Sequence, residues 1–554
     1  MNGLSEIKIE ITESIEGLSC LKSVWTGLTN QMPNATIFQT YGWNYTWWLA
    51  YGSDHRLFIL TIAFGDETIG IAPLMITGET VEFIGTPNAD YSDFITDRPE
   101  LCIKAIVDYL KKNQDKWKQV DLSQIPEKSP TINTLKQELE KAGLNHRTCP
   151  IENVMSYRYN GDGDNRDNFK MRRGGTIRKF MNFFNKMDGL SLHCFDSADE
   201  IRSRLPEFYH SHIVWWFKRG GNGCKFINPN VRDFHDLAAK HLAGQSLVRL
   251  YILTHGAQPL AYLYAFIYEK TIYLYQIASL MNYRKKSPGV ILLHMLIDSA
   301  IREGFDVIDF SRGGGGHKER FANQSGRNMQ CAVYASGLKK SLAAIYSGLK
   351  GSSAGLKLKS IYSVRKLKNS VGGTSANDFS DIASRTVSLI FAAQKDETEF
   401  DYYAADVEEF QSGESSEIAQ FKELIIDDIN NIAAFCGIEN DSDDYAEFER
   451  RFKTDGKCFA AEIDGHQAAI GWILTNPDMI PKNVRDKLNG RRVYLLADIG
   501  ISPVFYSTSI ASSFYHMLGS ACRGSGDSIV TPCARTDSEL GAILADLKFE
   551  HMQI

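Results

Sequence analysis

Three times along the chain a short polar turn separates two runs of β-branched and aromatic residues. Residues 56–64 and 68–76 flank Gly65-Asp66, residues 248–254 and 259–267 flank His255-Gly256, and residues 457–463 and 468–474 flank Asp464-Gly465. A polar turn between such runs predicts a β-hairpin. Each hairpin is preceded by helical periodicity and followed by a further strand and helix. The simplest fold is α/β, with three similar mixed-sheet modules of about 150 residues, which a chain of 554 residues accommodates.

Charge marks where the modules divide. Residues 339–368 carry eight Lys/Arg and no acid, residues 396–417 carry nine acids and no base, and Gly372-Gly373-Thr374-Ser375 lies between them. The expected ranges are 1–160, 161–338, a basic linker 339–395, and 396–554. The linker reads either as a solvated connection or as a peripheral contact with an anionic membrane through 339–368. A net charge of -6 argues against a dedicated nucleic-acid binder. The ten cysteines include no C-x-x-C pair, which speaks against a zinc site or a secreted disulfide framework. With no apolar run behind a positive N-terminal start and no run long enough to span a bilayer, the expectation is a cytoplasmic protein.

The chemistry concentrates in one segment. Residues 271–278 read as a strand, 283–289 as a basic turn-rich loop, 290–302 as an apolar helix closed by Gly304, and 305–310 as a strand. Ser311, Arg312, four glycines, His317 and Lys318 follow. A strand feeding a basic, glycine-containing loop and then a helix presents backbone N–H groups to an anion. Ser287, Gly289 and Val290 at the helix start, with Arg284, Lys285, Lys286 and Arg312, form the candidate cofactor-binding set. The same loop also reads as a surface turn with solubilising lysines. It lacks the G-x-x-x-x-G-K-[ST] pattern, which speaks against a P-loop NTPase.

Ser287-Pro288-Gly289, then Asp306-x-x-Asp309-Phe310, a glycine run and Lys318-x-x-Phe321 resemble the CelD/Fem-like branch of the GNAT acyltransferase superfamily. Phe38-Gln39-Thr40-Tyr41-Gly42-Trp43, Trp47-Trp48, Ile71-Ala72-Pro73-Leu74 and Asp90-Tyr91-x-Asp93 extend the resemblance over residues 8–335. His317 departs from it, standing where the family has tyrosine. The resemblance implies three GNAT-like modules, the first two paired across a cleft as in Fem-like transferases. Acyl transfer needs a base for the nucleophile and positive charge for the oxyanion. Lys318 is the candidate oxyanion stabiliser, with His317 beside it, and Asp309 or Asp306 is the candidate base or orients Lys318 or Arg312. The competing reading makes Asp309 a loop cap and Lys318 a surface lysine.

Residues 400–554 resemble a GNAT domain with a weakened acyl-CoA loop at 506–511. Tyr506 and Ser509 replace the loop's Arg/Gln and first glycine, Leu544 replaces the acidic tyrosine, and Lys548 replaces a glycine. Residues 166–186 form a basic, amphipathic stretch that reads first as a solvated helix and second as a surface for phosphate, membrane or RNA. His210 and His212, like Trp43, Trp47 and Trp48, read as core first and as metal or sugar sites second. The expected function is a bacterial N- or O-acyltransferase acting on an amine or hydroxyl of a polysaccharide or cell-envelope precursor, as in cellulose or exopolysaccharide biosynthesis. Its donor is acyl-CoA or, as the alternative, an aminoacyl-tRNA; no metal and no tightly bound cofactor are expected. The alternative function is a non-catalytic GNAT-fold scaffold of a polysaccharide synthesis system.

Overall fold

A computed structural model of the chain describes residues 7–159, 174–186, 189–217, 224–313, 318–335, 400–406 and most of 418–552. Within that last stretch the described segments are 420–438, 442–454, 456–475, 493–502, 507–522, 528–534 and 549–552, with a few isolated positions. The predicted linker lies outside the described residues.

Among the described residues the strands build three sheets of four, eleven and seven strands, consistent with GNAT-like modules. The eleven-stranded sheet runs in the order Leu190–Phe195, Val248–His255, Gln258–Tyr268, Thr271–Ser279, Val307–Arg312, Asn145–Arg158, Gln324–Tyr334, Gln119–Pro126, Thr80–Phe83, Leu74–Thr77 and Arg56–Leu57. It therefore crosses the boundary drawn near residue 160. Asn145–Arg158 pairs with Val307–Arg312 on one side and Gln324–Tyr334 on the other, and Gln324–Tyr334 also pairs with Gln119–Pro126. Each of the first two modules lends the other a strand, so neither can be cut out with its sheet complete.

The second and third predicted hairpins form as Val248–His255 with Gln258–Tyr268 and Lys457–Ile463 with His466–Leu474. The first divides. Ile59–Phe64 and Glu67–Ala72 join the four-stranded sheet, whereas Arg56–Leu57 and Leu74–Thr77 join the eleven-stranded one. The break falls at Pro73, which has no N–H to donate and whose carbonyl instead accepts from Ile84 N at 2.8 Å.

One device recurs in all three modules. Two parallel strands pair over three residues and then diverge, joined by a crossover that contains a helix. The pairs are Thr80–Glu82 with Gln119–Asp121, Thr271–Tyr273 with Val307–Asp309, and Val493–Leu495 with Ser528–Val530. The helices are Pro99–Lys112, Pro288–Arg302 and Thr508–Ala521. In the first two, Val120-Asp121-Leu122-Ser123 and Ile308-Asp309-Phe310-Ser311 occupy the same register, and a register shift interrupts the ladder just beyond each aspartate.

One apolar core draws on both of the first two modules. Trp25, Trp43 and Trp47 from the first and Phe208, Phe234 and Tyr264 from the second all lie in it. Trp43 meets Phe234 edge-on at 5.7 Å, and the Trp47 indole N–H donates to Asn88 Oδ1 at 3.0 Å. These tryptophans pack; they are not exposed stacking platforms. No described helix is long and apolar enough to cross a membrane.

Candidate active site

The central diverging pair carries two groups of side chains along the gap where its strands part. Asp309 stands opposite Tyr273 at the last paired position, where the strands begin to part. The turn Met281–Lys286 and the helix Pro288–Arg302 follow from the far end of Thr271–Ser279. Asp309 thus marks the point where the strands part, and the helix start lies six residues, about 20 Å, further along Thr271–Ser279.

The acid–base group is assembled from both modules. Tyr91 donates its hydroxyl to Asp309 Oδ1 and Oδ2 at 2.9 and 2.8 Å, and Ser311 N–H donates to Oδ1 at 2.7 Å. Asp309 is crowded by protein yet keeps some solvent exposure. Burial pushes its carboxyl up to about 7, against the pull of the Ser311 and Tyr91 hydrogen bonds. Ser311 adopts a left-handed conformation (φ 59°), which lets its amide turn back to that carboxylate.

Arg312 points the other way, across the module boundary. Its Nε meets Asp90 Oδ1 at 2.6 Å, and an Nη donates to the Pro87 carbonyl at 2.8 Å. Its cation is thus committed to Asp90, which is nine-tenths buried. The third polar residue of the Asp90-Tyr91-x-Asp93 group, Asp93, accepts from Ser129, Thr131 and its neighbour Phe94 N–H, and burial raises it to about 6. Asp90 and Tyr91 thus lock the two modules together, and Asp93 holds the loop that carries them.

Lys318 opens the short helix Lys318–Phe321 and donates its ammonium to the Arg312 carbonyl. Burial lowers its pKa, while the nearby Asp90 and Asp309 carboxylates favour its charge. Asp306 is not part of this group. It sits at the start of the strand, half-exposed, 3.8 Å from Lys270. Three residues of strand place it about 10 Å from Asp309. His317 and residues 314–316 lie outside the described residues.

At the donor pole, Gly289 lets the helix start press onto the strand end: a Cβ there would fall 2.6 Å from Ser279 Oγ. Ser287 takes a left-handed conformation (φ 50°) that turns its carbonyl onto the amides of Val290 and Ile291, at 2.9 and 3.2 Å. Ser287 N–H itself donates to the Arg284 carbonyl at 3.0 Å. Pro288 has no N–H, so among the described residues the Gly289 amide is the first-turn donor left for a ligand; Ser287 and Val290 do not offer theirs. Arg284 and Lys285 are exposed, and Lys286 lies over the Phe183 ring at 4.5 Å. The glycine cradle, the first-turn amide and the cations suit a phosphate-bearing ligand.

Sequence reasoning missed Lys225. It lies close enough to Asp90, Arg312 and Glu152 to feel their charges, and burial lowers its pKa. The surrounding Cys224-Lys225-Phe226 carries no motif that would have singled it out. His212 and Cys224 meet at 3.2 Å, but burial drives the imidazole down to about 3 and the thiol up to about 12, leaving an inert neutral pair. Among the described residues no cluster suits a metal ion. In the basic 166–186 stretch, Arg178 and Lys179 are exposed on the helix Gly174–Asn185, whereas Arg166, Lys170, Arg172 and Arg173 lie outside the described residues.

The C-terminal module lacks such a constellation among its described residues. Leu544 is fully buried in its core, and Ser507 Oγ already accepts the Ile510 N–H at the crossover helix start. Tyr506 and Lys548 lie outside the described residues.

Residues 170–319 match the family model for the acetyltransferase (GNAT) domain, which assigns a GNAT-type fold to the part of the chain that holds Asp309 and Lys318. No curated protein sequence matches. The chain is similar to the crystal structure of FemX, at 13% identity and a TM-score of 0.42, over 59% of this chain and 96% of that one. It is also similar to a tandem GNAT protein from the clavulanic acid biosynthesis pathway, at 10% identity and a TM-score of 0.35, over 60% and 99%. A GNAT-family acetyltransferase from Colwellia psychrerythraea aligns at 9% identity and a TM-score of 0.34, over 59% and 99%.

Proposed function

We propose that the protein is an acyltransferase whose reaction centre lies at the joint of the first two modules. The donor is an acyl-CoA, its phosphates held at the Gly289 amide with help from Arg284, Lys285 and Lys286. Asp309 takes the proton from an acceptor amine or hydroxyl as that group attacks the thioester carbonyl. The ammonium of Lys318 stabilises the resulting oxyanion. Collapse of the tetrahedral intermediate expels CoA as its thiolate, which is then protonated from solvent. Lys225 and Glu152 border the acceptor side. The acceptor is a polysaccharide or cell-envelope precursor, and residues 339–368 give the protein a peripheral membrane contact.

The observation that carries this reading is the contrast between the central and the C-terminal diverging strand pairs. At the last paired position of the central one stands a carboxylate with a pKa of about 7, close to the Lys318 ammonium. The C-terminal pair has Val530 opposite Leu495 at that position. The test is a thermal-shift screen of CoA thioesters followed by a CoA-release assay with amine and hydroxyl acceptors. Stabilisation by acyl-CoA and turnover that falls in Lys318→Ala support the proposal. A protein that neither binds nor turns over any thioester, and keeps its cellular role as Lys318→Ala, is instead a scaffold.

A further inference from the structure

The C-terminal module rests on the central one, and it does so beside the donor turn. Helix Ile429–Cys436 packs against both helix Leu205–Phe217 and the turn Met281–Lys286. At the centre of the contact the His210 ring stacks on Phe435, with centroids 4.3 Å apart and planes 21° from parallel. Its Nε2 lies 2.9 Å from the Phe435 carbonyl and its Nδ1 2.9 Å from Ser502 Oγ. A carbonyl can only accept, so Nε2 carries the proton and Nδ1 accepts from the Ser502 hydroxyl. Both ring nitrogens of a buried histidine are thereby satisfied by the C-terminal module alone.

Further contacts surround this centre. His466 Nδ1 meets Glu207 Oε1 at 2.6 Å, and the His466 ring stacks on Phe505. Gln258 donates to the Asn430 carbonyl at 3.1 Å. Ala434 and Val504 pack against the apolar core shared by the first two modules. The donor turn beneath is built to be held from outside. Tyr283 meets Phe184 at 5.3 Å on one side, while Asn282 is buried with both amide atoms unpartnered among the described residues. An unpartnered buried amide works against this conformation of the turn, which therefore depends on packing from its neighbours.

We infer that the C-terminal module is a positioning element: docked through His210, Phe435 and Ser502, it holds the turn Met281–Lys286 in the conformation that presents the Gly289 amide and the Arg284–Lys286 cations to the donor. The inference rests on the donor reading of that turn. It gives a module that lacks such a constellation among its described residues a role in the reaction of another. His210, Phe435 and Ser502 are positioning residues, because they act through the turn and touch no reacting atom.

The test uses the full chain with Phe435→Asp, which sets a charge against the buried imidazole. His466→Ala, at the half-buried rim of the dock, takes its place should the first variant not fold. Hydrogen–deuterium exchange is measured without donor, and CoA binding and steady-state kinetics follow. The expected result is faster exchange in 205–217 and in 281–286, a donor KM raised about tenfold and a kcat within twofold of wild type. Faster exchange confined to 205–217, with 281–286 and donor KM unchanged, overturns the inference. So does exchange in the variant identical to wild type, since the modules would then not be docked in solution. If wild type binds no CoA while 281–286 still responds to the variant, the donor reading fails and the mechanical coupling stands.

Discussion

Tyr91 and Asp309, 218 residues apart in sequence, share one hydroxyl proton between two carboxylate oxygens at 2.9 and 2.8 Å. The candidate base is therefore not the property of a single module. Its carboxylate comes from the central strand and its hydrogen-bond donor from the N-terminal loop.

Removing that donor has a defined sign. The Tyr91 hydroxyl favours the ionised carboxylate, so Tyr91→Phe raises the Asp309 pKa above about 7. The rising limb of the pH–rate profile moves to higher pH, with kcat at its plateau little changed. An unmoved limb would dissociate Asp309 from the rate.

Asp309 also costs stability. Its folded pKa of about 7 exceeds the ordinary carboxylate value, so between about pH 4 and 7 the unfolded chain releases a proton that the folded one keeps. Stability attributable to this group is full below that window, falls as pH rises through it, and is flat above. The loss is on the order of 4 kcal/mol. Asp309→Asn, whose amide oxygen still accepts from Ser311 N–H, is thus expected to unfold at higher urea than wild type at pH 8, the two converging toward pH 4. Equal midpoints at pH 8 would mean that Asp309 is ionised at ordinary cost.

The Arg312–Asp90 pair is expected to behave as a clamp. Arg312→Met strands a buried carboxylate and lowers stability by about 3 kcal/mol, measured by urea unfolding. Adding Asp90→Asn recovers part of that loss. A double variant no more stable than Arg312→Met would show that the two side chains are not coupled.

The hairpins at 248–268 and 457–474 were legible because each turn lies between uninterrupted β-branched runs. The first hairpin was legible too, but its division between two sheets was not, because Pro73 sits inside an apolar run and diverts the chain without altering the apolar pattern. The exchange of Asn145–Arg158 and Gln324–Tyr334 is likewise invisible locally, since strand patterning tells which face is buried but not which neighbour is paired. Asp309 and Lys318 stood out in one motif-bearing segment. Asp306 looked equivalent, and only the strand rise separates it from the site. Lys225 enters through tertiary folding alone. Val290 illustrates a further limit: a helix start predicts free amides, but the left-handed Ser287 spends two of them on its own carbonyl.

Lys318→Ala is expected to lower turnover about 100-fold or more, as for loss of one oxyanion donor. Arg284→Ala should mainly raise the donor KM, because a phosphate contact serves ground and transition states alike. The C-terminal module, with Leu544 in its core, should supply no residual activity in Lys318→Ala. Wild-type constants in both variants would place the chemistry elsewhere.

The most direct test of the proposed centre is the pH dependence of CoA release by wild type and Asp309→Asn, with the donor and acceptor that give turnover. The account predicts that the wild-type rate rises with pH through a midpoint of about 7, and that Asp309→Asn is slower by at least about 100-fold with no such limb. An Asp309→Asn protein with the wild-type rate and the same pH profile would contradict it.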